Sequence, residues 1–257
     1  MIRYLETIPP EQMEELCSFC ASDVYGVRAL GPVLSYGTGY DFVSAWEQRD
    51  DEGARTAFLS KNYGSVTVCG TGAADREELE VFLRAIGYSA LLGPSDLLPG
   101  FAAEGEQGPV MELPRGDACV ARTVPLSDGI SLVADDNFRD FYDVLTESNP
   151  GYLTGSYEVF LTDLSHRVRH GTAHTVVLYE NGVPAATAAV LSELPTASFL
   201  GAIATRPSFR GNRYASTCIR TLCDARPDRR VFLLCRPEKQ GFYEHLGFKA
   251  VDQYCER

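Results

Sequence analysis

The sequence predicts a fold of the α+β class, in which helices flank a twisted, mixed and mostly antiparallel sheet, arranged in two successive units. Three observations predict it. Short apolar segments of strand length alternate with amphipathic segments of helical period. Asn181-Gly182 lies between two apolar runs, which is a strong signal for an antiparallel hairpin. Residues 201–222 read as a strand, a sharp turn and a helix.

The composition is that of a globular protein with free thiols. The chain has 257 residues, 45% of them hydrophobic and 23% charged, which suffices for one large domain or two modest ones. It contains no uncharged apolar run of membrane-spanning length, and its acidic beginning lacks the apolar core of a secretory signal. Eight cysteines are too few for a disulfide scaffold, so we expect reduced thiols and a cytoplasmic location.

The net charge of −12 is unevenly distributed along the chain. From residue 206 onwards there are eleven Lys or Arg against six Asp or Glu, whereas the preceding residues carry twelve against twenty-nine. The acidic excess disfavours nucleic acid as a partner, because phosphate polyanions require a basic surface. The basic block coincides with the strand, turn and helix of residues 201–222.

The first unit is predicted to span residues 1–115. Apolar residues at helical spacing predict helices over 11–20 and 76–86, the second closed by Gly87. Strands are predicted over 40–48, 54–61, 64–70 and 109–113.

The second unit is predicted to span residues 116–257, after a connection over 113–129 that is rich in turn-forming residues. Helices are predicted around 138–145, over 156–169, from the turn to 222 and over 238–246. Strands are predicted over 130–133, 174–180, 183–193, 197–205, 229–235 and 248–256.

The turn from Arg210 to Ala215 is predicted to bind a phosphate group. The helix begins inside this turn, and a helix N-terminus offers unpaired backbone N–H groups and a partial positive charge. Gly211 permits close approach of the backbone to a ligand. Arg210 and Arg213 add fixed positive charge beside it. By these features alone the turn is a general anion site.

The order of elements in residues 129–255 resembles the GNAT (GCN5-related) N-acetyltransferase superfamily, and two motifs carry the resemblance. In the family's Arg-Gly-x-Gly-x-Gly/Ala motif, Arg210, Gly211 and Ala215 match, while Arg213 replaces the second glycine. The segment 242–248, Phe-Tyr-Glu-His-Leu-Gly-Phe, is close to the family's second pattern. The predicted fold is therefore a GNAT fold with a second, degenerate GNAT-like unit before it.

The resemblance implies a binding site for acetyl-CoA and an N-acetyltransferase activity. It implies that the sheet opens between strands 197–205 and 230–235, and that the phenol of Tyr243 protonates the leaving thiolate. Main-chain groups of Ile203, Ala204 and Thr205 are expected to pair with the pantetheine arm. The pyrophosphate is assigned to Arg210, Gly211, Asn212, Arg213, Tyr214, Ala215 and Ser216.

The general base and the acceptor stay open. Strand 197–205 has no carboxylate, so Glu193 and Glu158 are candidates beside a water chain or an already neutral amine. The expected acceptor is a primary amine of a small molecule, and the acidic excess favours a cationic one. Two alternatives are a non-catalytic acyl-CoA-binding module and an acetyltransferase of protein lysines or N-termini. Neither nucleic acid nor membrane is an expected partner, and the chain is a monomer or homodimer.

Metal chemistry is not predicted. His166, His170 and His174 recur every four residues, but Gly171 ends the helix before the third, so they do not share one helical face. Cys17-x-x-Cys20 lies on an apolar helix face together with Met13 and Leu16, which is typical of core packing.

An internal repeat is predicted from the similarity of residues 82–91 to residues 242–251, at an offset of 160. Both segments contain an aromatic start, a glycine after the helix and a following apolar run. The first has Leu83 where the second has Tyr243, and the first unit has no Arg-Gly-x-x-x-Ala turn. We therefore expect the first unit to be a catalytically silent copy of the second.

Overall fold

The fold is described from a computed structural model, for residues 1–99, 105–127, 129–153 and 155–256. The chain divides into two compact units. The first comprises Met1–Met111, Leu234–Gln240 and Ala250–Arg257, and the second comprises Glu112–Leu233 and Gly241–Lys249. This differs from the predicted division at 115/116, because the end of the chain returns twice to the first unit.

The first unit contains a mixed sheet in the order β1-β2-β3-β4-β5-β12-β6. Strand β1 pairs with β2, β2 with β3 and β3 with β4, all antiparallel. Strand β5 pairs in parallel with β4 and antiparallel with β12. The helices are α1 (Pro10–Cys20), α2 (Val24–Tyr36) and α3 (Arg76–Ile86). The strands are β1 (Ile2–Tyr4), β2 (Val43–Arg49), β3 (Arg55–Asn62), β4 (Ser65–Gly70), β5 (Ala90–Pro94), β6 (Glu106–Leu113) and β12 (Lys249–Glu256).

The second unit contains a sheet in the order β7-β8-β9-β10-β11, antiparallel except for the parallel pair β10 and β11. Its helices are α4 (Phe138–Ser148), α5 (Tyr157–Arg169), α6 (Tyr214–Asp224) and the short α7 (Gln240–Glu244), which begins at the boundary of the units. The strands are β7 (Ile130–Ala134), β8 (His174–Glu180), β9 (Val183–Glu193), β10 (Ala197–Thr205) and β11 (Arg230–Leu234).

Each sheet is mixed, mostly antiparallel and flanked by helices, which confirms the predicted α+β class. In the second unit, a buried apolar cluster that includes Phe141, Val144 and Leu145 of α4 covers β8–β10. In the first unit, Leu79 and Leu83 of α3 are fully buried against β3 and β4. The helical period predicted for both helices therefore marks the faces that meet the sheet.

Helix α2 was not predicted from the sequence, and neither were the short strands β1 and β5. The interior of α2 contains Gly31 and Pro32, two residues of low helix propensity. Most of α2 is buried, so tertiary packing stabilises it against these propensities. Asp23 caps it by accepting a hydrogen bond from the Gly26 N–H at 2.7 Å. A Cβ atom at Gly26 would lie 2.2 Å from the Cys20 carbonyl oxygen, so only glycine fits here.

The two halves of the sequence repeat one order of elements, but the predicted alignment at an offset of 160 is wrong. Each half runs strand, two helices, three strands, helix, strand, and each ends in a strand, β6 or β12. In this order α3 corresponds to α6, because each follows the third strand of a meander. The offset of 160 instead pairs α3 with α7. The sequence match at this offset arises because α3 and α7 are both amphipathic and both followed by a glycine.

The last strand of the second half completes the sheet of the first unit. Strand β12 lies between β5 and β6, with Tyr254 opposite Pro94 and Glu256 opposite Leu92. Tyr25 of α2 donates its hydroxyl to Asp252 at 3.1 Å and lies 3.2 Å from the Gln253 carbonyl oxygen. The first unit thus requires residues from the end of the chain.

Glu47 on β2 is the centre of an ion-pair cluster in the first unit. Its side chain is fully buried, and it accepts hydrogen bonds from Arg49 at 2.9 Å and Arg55 at 2.8 Å, as well as from Arg3. Burial raises the pKa of Glu47, but the hydrogen bonds from the three arginines outweigh it and lower the net pKa.

We expect Glu47→Gln to lower the free energy of unfolding by about 3–5 kcal/mol, because it removes the counter-charge of the buried Arg55 guanidinium and of the more exposed Arg49 and Arg3. Denaturant unfolding at neutral pH measures this change. Since the pKa is lowered in the folded state, the stabilisation is complete above the unfolded pKa of about 4.3 and is lost as pH falls through the folded pKa. The exposed Glu52→Gln serves as a control with a change within about 0.5 kcal/mol. Equal stability of the two variants would contradict the prediction.

Candidate functional site

The parallel strands β10 and β11 separate partway along their length. Ala197, Ser198 and Phe199 pair with Arg230, Val231 and Phe232, and the pairing ends there. Beyond Phe199, β10 continues to Thr205, and among the strands that the structure describes only β9 pairs with this part of it. The sheet therefore opens between these two strands, as the sequence analysis predicts. One edge of β10 is left to pair with an extended ligand.

Strand β10 carries a bulge at the point where the sheet opens. Gly201 lies opposite Ala189 and Ala204 opposite Thr187, so β10 has one extra residue between them. Ala202 has φ of +50°, a left-handed conformation that costs a non-glycine residue free energy. The buried Thr187 hydroxyl donates to the Ala202 carbonyl oxygen at 3.2 Å. The contact of Thr187 with the bulge could not be predicted from the sequence, because nothing local distinguishes this residue from other strand threonines.

The backbone of β10 alternates between β9 and the opening. The Arg206 N–H donates to the Ala185 carbonyl oxygen of β9 at 2.9 Å. Because successive residues of a strand direct their backbone groups to opposite sides, Thr205 and Ile203 face the opening. The backbone groups of Ala204 face β9. Of the three residues expected to pair with pantetheine, Ala204 is therefore the one whose backbone points away from the opening. Arg210 already donates to the Thr205 carbonyl oxygen at 3.3 Å and to the Ser148 carbonyl oxygen at 3.5 Å.

The turn after β10 leaves the N-terminus of α6 open to an anion. A short 3₁₀ helix, Pro207–Phe209, precedes Gly211, which has φ of +85°. Arg213 is the N-cap residue of α6, and no side chain of the described residues caps this end by a hydrogen bond. The first turn of α6 contains no acidic residue. The free N–H groups and the helix dipole therefore favour a phosphate here.

The side chains of the turn divide between solvent and core. Arg210, Gly211, Asn212 and Arg213 are exposed, whereas Ala215 is half-buried. Tyr214 and Ser216 are buried. We find no hydrogen bond or ion pair of the Arg213 guanidinium within the described ranges. The exposed backbone and arginine side chains can reach a pyrophosphate, and the buried residues anchor the helix to the sheet.

Arg213 retains the glycine conformation at the position where the motif has its second glycine. Its φ of +63° lies in the left-handed region, which costs a non-glycine residue roughly 1 kcal/mol. The backbone path of the motif is thus preserved although the residue differs. The departure from the motif is chemical, since it adds a positive charge to the turn.

We expect Arg213→Gly to keep or raise the free energy of unfolding, by up to about 1 kcal/mol, because it relieves the left-handed strain. The same variant should weaken CoA binding roughly tenfold, the loss of one charge-assisted phosphate contact. Calorimetric titration with CoA measures the affinity, and thermal unfolding measures the stability. Arg213→Lys, which retains the charge, is the matched control. Unchanged or tighter binding by Arg213→Gly would show that this side chain does not contact the phosphate.

Tyr243 lies on α7 in the second unit and is almost fully buried. Its ring packs edge-on against Phe242 and Phe248, with centroids 5.0 and 6.1 Å away. The segment around it is tied to residues after β6, because the Val120 N–H donates to the Leu246 carbonyl oxygen at 3.0 Å. Helix α7 follows the carboxyl end of β11, as the phosphate turn follows that of the parallel strand β10. This edge of a sheet is a usual place for ligands.

The two candidates for the general base, Glu193 and Glu158, both have contacts that stabilise the charged carboxylate. Both carboxylate oxygens of Glu193 are held by arginines, one by Arg226 and the other by Arg229, and His174 Nε2 lies 3.6 Å away. Glu158 is exposed on α5, where a hydrogen bond from Ser156 lowers the pKa of its carboxyl. A base must be free to accept a proton near neutral pH, so these contacts favour neither residue.

The three histidines do not converge. His166 of α5 stacks on His170, the residue that follows this helix, with ring centroids 4.1 Å apart. His174 begins β8 and bonds Asp135 through Nδ1 at 2.9 Å. In the part of the chain that the structure describes, no group of three or more His, Cys, Asp or Glu is arranged to hold a metal ion.

The corresponding helix end in the first unit is closed by the protein's own groups. Asp75 caps α3 by accepting from the Glu78 N–H at 3.0 Å, and its own N–H donates to Gln48 Oε1 at 2.9 Å. Glu77 and Glu78 add negative charge in the first turn. Strand β4, which precedes α3, pairs with β3 without a bulge. Asp75-x-x-Glu78 is a capping pattern that the sequence analysis did not use. This end repels anions.

A mixed sheet that opens between two parallel strands, beside a helix N-terminus free for phosphate, defines the second unit as a GNAT-type domain. Residues 138–248 match the model of the Acetyltransferase (GNAT) family, so this part of the chain is a GNAT domain. That family is one of acyl-transferring enzymes. A comparison with curated protein sequences finds no match.

Solved structures show the same fold at low sequence identity. A tandem GNAT protein from the clavulanic acid biosynthesis pathway is 14% identical, with a TM-score of 0.63, covering 100% of this chain and 97% of that one. A GCN5-related N-acetyltransferase from Sphaerobacter thermophilus is 15% identical, with a TM-score of 0.54, covering 82% and 79%. One from Kribbella flavida is 13% identical, with a TM-score of 0.52, covering 82% and 88%. The likeness over the full chain confirms that the first half is GNAT-like in fold.

Within the described ranges, no helix is both long enough and apolar enough to cross a bilayer.

Proposed function

We propose that this protein is an N-acetyltransferase that transfers the acetyl group of acetyl-CoA to a primary amine of a small molecule, by direct attack of the amine on the thioester. The observation that carries the proposal is the opening of β10 from β11 next to the uncapped N-terminus of α6. An extended pantetheine fits the free strand edge, and a pyrophosphate fits the helix end.

The residues have distinct roles in this proposal. Ile203 and Thr205 present their backbone groups to the pantetheine amides. The N–H groups from Gly211 to Ser216, with Arg213, hold the pyrophosphate. Bound acetyl-CoA supplies an activated acyl group as a thioester. Backbone N–H groups at the β10 bulge stabilise negative charge on its carbonyl oxygen, and the Tyr243 hydroxyl protonates the departing sulfur.

The acceptor and the cellular setting belong to the same proposal. The acidic excess before residue 206 favours a small cationic amine and disfavours nucleic acid. All eight cysteines are thiols outside disulfides, which suits the reducing cytoplasm. The chain acts as a monomer or homodimer and uses no metal.

A calorimetric titration with CoA and a thiol-release assay with a panel of small amines test the proposal. We expect one CoA per chain, because the α3 end is self-capped, and thiol release that depends on the amine. Binding of CoA without release for any amine would contradict it. So would a clear preference for peptide lysines or N-termini, the outcome expected of a protein acetyltransferase.

A non-catalytic acyl-CoA-binding module is the second candidate. It is favoured by the absence of a carboxylate in β10 and by the two arginines that hold Glu193. This alternative predicts a thermal shift with CoA, no turnover, and no effect of Tyr243→Phe on any measured rate.

A further inference from the structure

Cys119 and Cys223 form a pair of thiols in contact within the second unit, outside the candidate acyl-transfer site. The thiols are close enough for each to shift the pKa of the other. Both residues are nearly buried, with 3% and 6% of their surface exposed, and both are free thiols. Cys119 belongs to the connecting segment, residues 114–127, and Cys223 lies near the end of α6.

The connecting segment is tethered on both sides of Cys119, to α6 and to the turn that follows it. Before it, the Gly116 N–H donates to the Pro227 carbonyl oxygen at 3.2 Å. After it, Arg220 donates to the Ala121 carbonyl oxygen at 3.0 Å. Since Cys223 lies between Arg220 and Pro227 in sequence, these tethers hold Cys119 beside it. A disulfide requires its sulfurs to approach to about 2.05 Å.

The surroundings distinguish the two thiols chemically. The hydrogen bond from Cys223 and another from the Ala121 N–H lower the pKa of Cys119 despite its burial. The pKa of Cys223 is raised by its hydrogen bond to Cys119 and by burial. Cys119 lies between exposed Ala118 and Val120, close to the surface. A thiol of lowered pKa beside a second thiol, in a segment whose neighbouring residues are exposed, resembles a redox-sensitive cysteine pair.

We propose that Cys119 and Cys223 are a modification site, at which hydrogen peroxide converts two thiols into a disulfide that joins the connecting segment to α6. The Cys119 thiolate attacks one peroxide oxygen, the O–O bond breaks, and a sulfenic acid and water result after proton transfer. The Cys223 sulfur then attacks the sulfenic sulfur and releases a second water. Two thiols and one peroxide thus yield one disulfide and two waters, with sulfur oxidised and peroxide reduced.

The first unit offers a matched control. Cys20 and Cys69 are also buried thiols, and Cys20 is close enough to shift the pKa of Cys69. The hydrogen bond to Cys20 and complete burial raise the pKa of Cys69 well above its ordinary value. Neither thiol of this pair lies near the surface. This pair therefore tests whether closeness of two thiols is enough, because the pKa of Cys69 is raised rather than lowered.

The experiment treats the folded full chain with a small excess of hydrogen peroxide, then blocks remaining thiols and maps peptides by mass spectrometry. We expect a loss of two hydrogen atoms, a cross-linked peptide pair containing Cys119 and Cys223, full reversal by dithiothreitol and a higher Tm of the oxidised protein. Cys223→Ser should instead accumulate a sulfenic acid at Cys119 that dimedone traps. Cys20→Ser should form the same cross-link as the wild type.

Three results would overturn the inference. One is an unchanged mass under conditions that oxidise a free thiol peptide. Another is cross-linking of Cys20 to Cys69 as fast as that of Cys119 to Cys223. The third is oxidation of Cys119 to sulfinic acid without a cross-link in the wild type. Circular dichroism of each variant before treatment verifies that the fold is retained.

Discussion

Tyr243→Phe should lower kcat about 10²–10⁴-fold and leave the affinity for CoA unchanged within about twofold. The variant removes one oxygen from a ring that packs against Phe242 and Phe248, so the apolar packing of α7 remains. Loss of the hydroxyl removes the proposed proton donor to the departing sulfur. Steady-state thiol release measures kcat, and calorimetric titration measures CoA binding.

The control for this variant is a second buried tyrosine. Tyr25→Phe in the first unit removes a hydroxyl that bonds Asp252 and the Gln253 carbonyl oxygen. It should lower the free energy of unfolding by about 1 kcal/mol without changing kcat. Equal kcat for Tyr243→Phe and the wild type would remove Tyr243 from the mechanism. An equal fall in kcat for both variants would show that the effect is structural.

Ala215→Glu should weaken CoA binding roughly 30- to 100-fold while keeping the protein folded. It adds a carboxylate to the first turn of α6, where the proposed pyrophosphate binds. Two unit charges 4 Å apart near a protein surface interact by about 4 kcal/mol, which solvent and salt reduce. A carboxylate in the first helical turn stabilises the helix itself, so stability and affinity should move in opposite directions.

Two further variants separate charge from size and position. Asn212→Asp introduces the charge at an exposed turn position with little change in volume, and it should weaken CoA binding by a smaller factor. Ala85→Glu adds the same charge at an exposed position of α3 and should leave CoA affinity unaltered. If CoA affinity falls equally for Ala85→Glu and Ala215→Glu, net charge rather than a site at α6 controls binding.

The elements of the second unit could be predicted because their signals are local. The hairpin at Asn181-Gly182 follows from a turn that only a few residues adopt, and Asn181 and Gly182 both have positive φ. The helical period of α4 and α5 marks the face that meets the sheet. The opening between β10 and β11 came from family resemblance, because no residue of either strand signals where their pairing ends.

Some features of the candidate site had no local signal. The bulge at Ala202 depends on how β10 registers against β9 and on the Thr187 hydroxyl, neither of which a single strand specifies. The contacts of Arg210 with the Thr205 and Ser148 carbonyl oxygens join distant parts of the sequence. The closure of α3 was different, since Asp75-x-x-Glu78 is a readable capping pattern.

The sequence by itself determined the α+β class, most of the strands and helices, and an anion-binding helix end at Arg210–Ala215. These follow from residue periodicity, turn chemistry and the electrostatics of a helix terminus. Only the tertiary structure decided that β12 completes the first unit, that α3 corresponds to α6, and that Glu193 is held by arginines. Each of these depends on contacts between residues far apart in the chain, and local propensity contains no information about such partners.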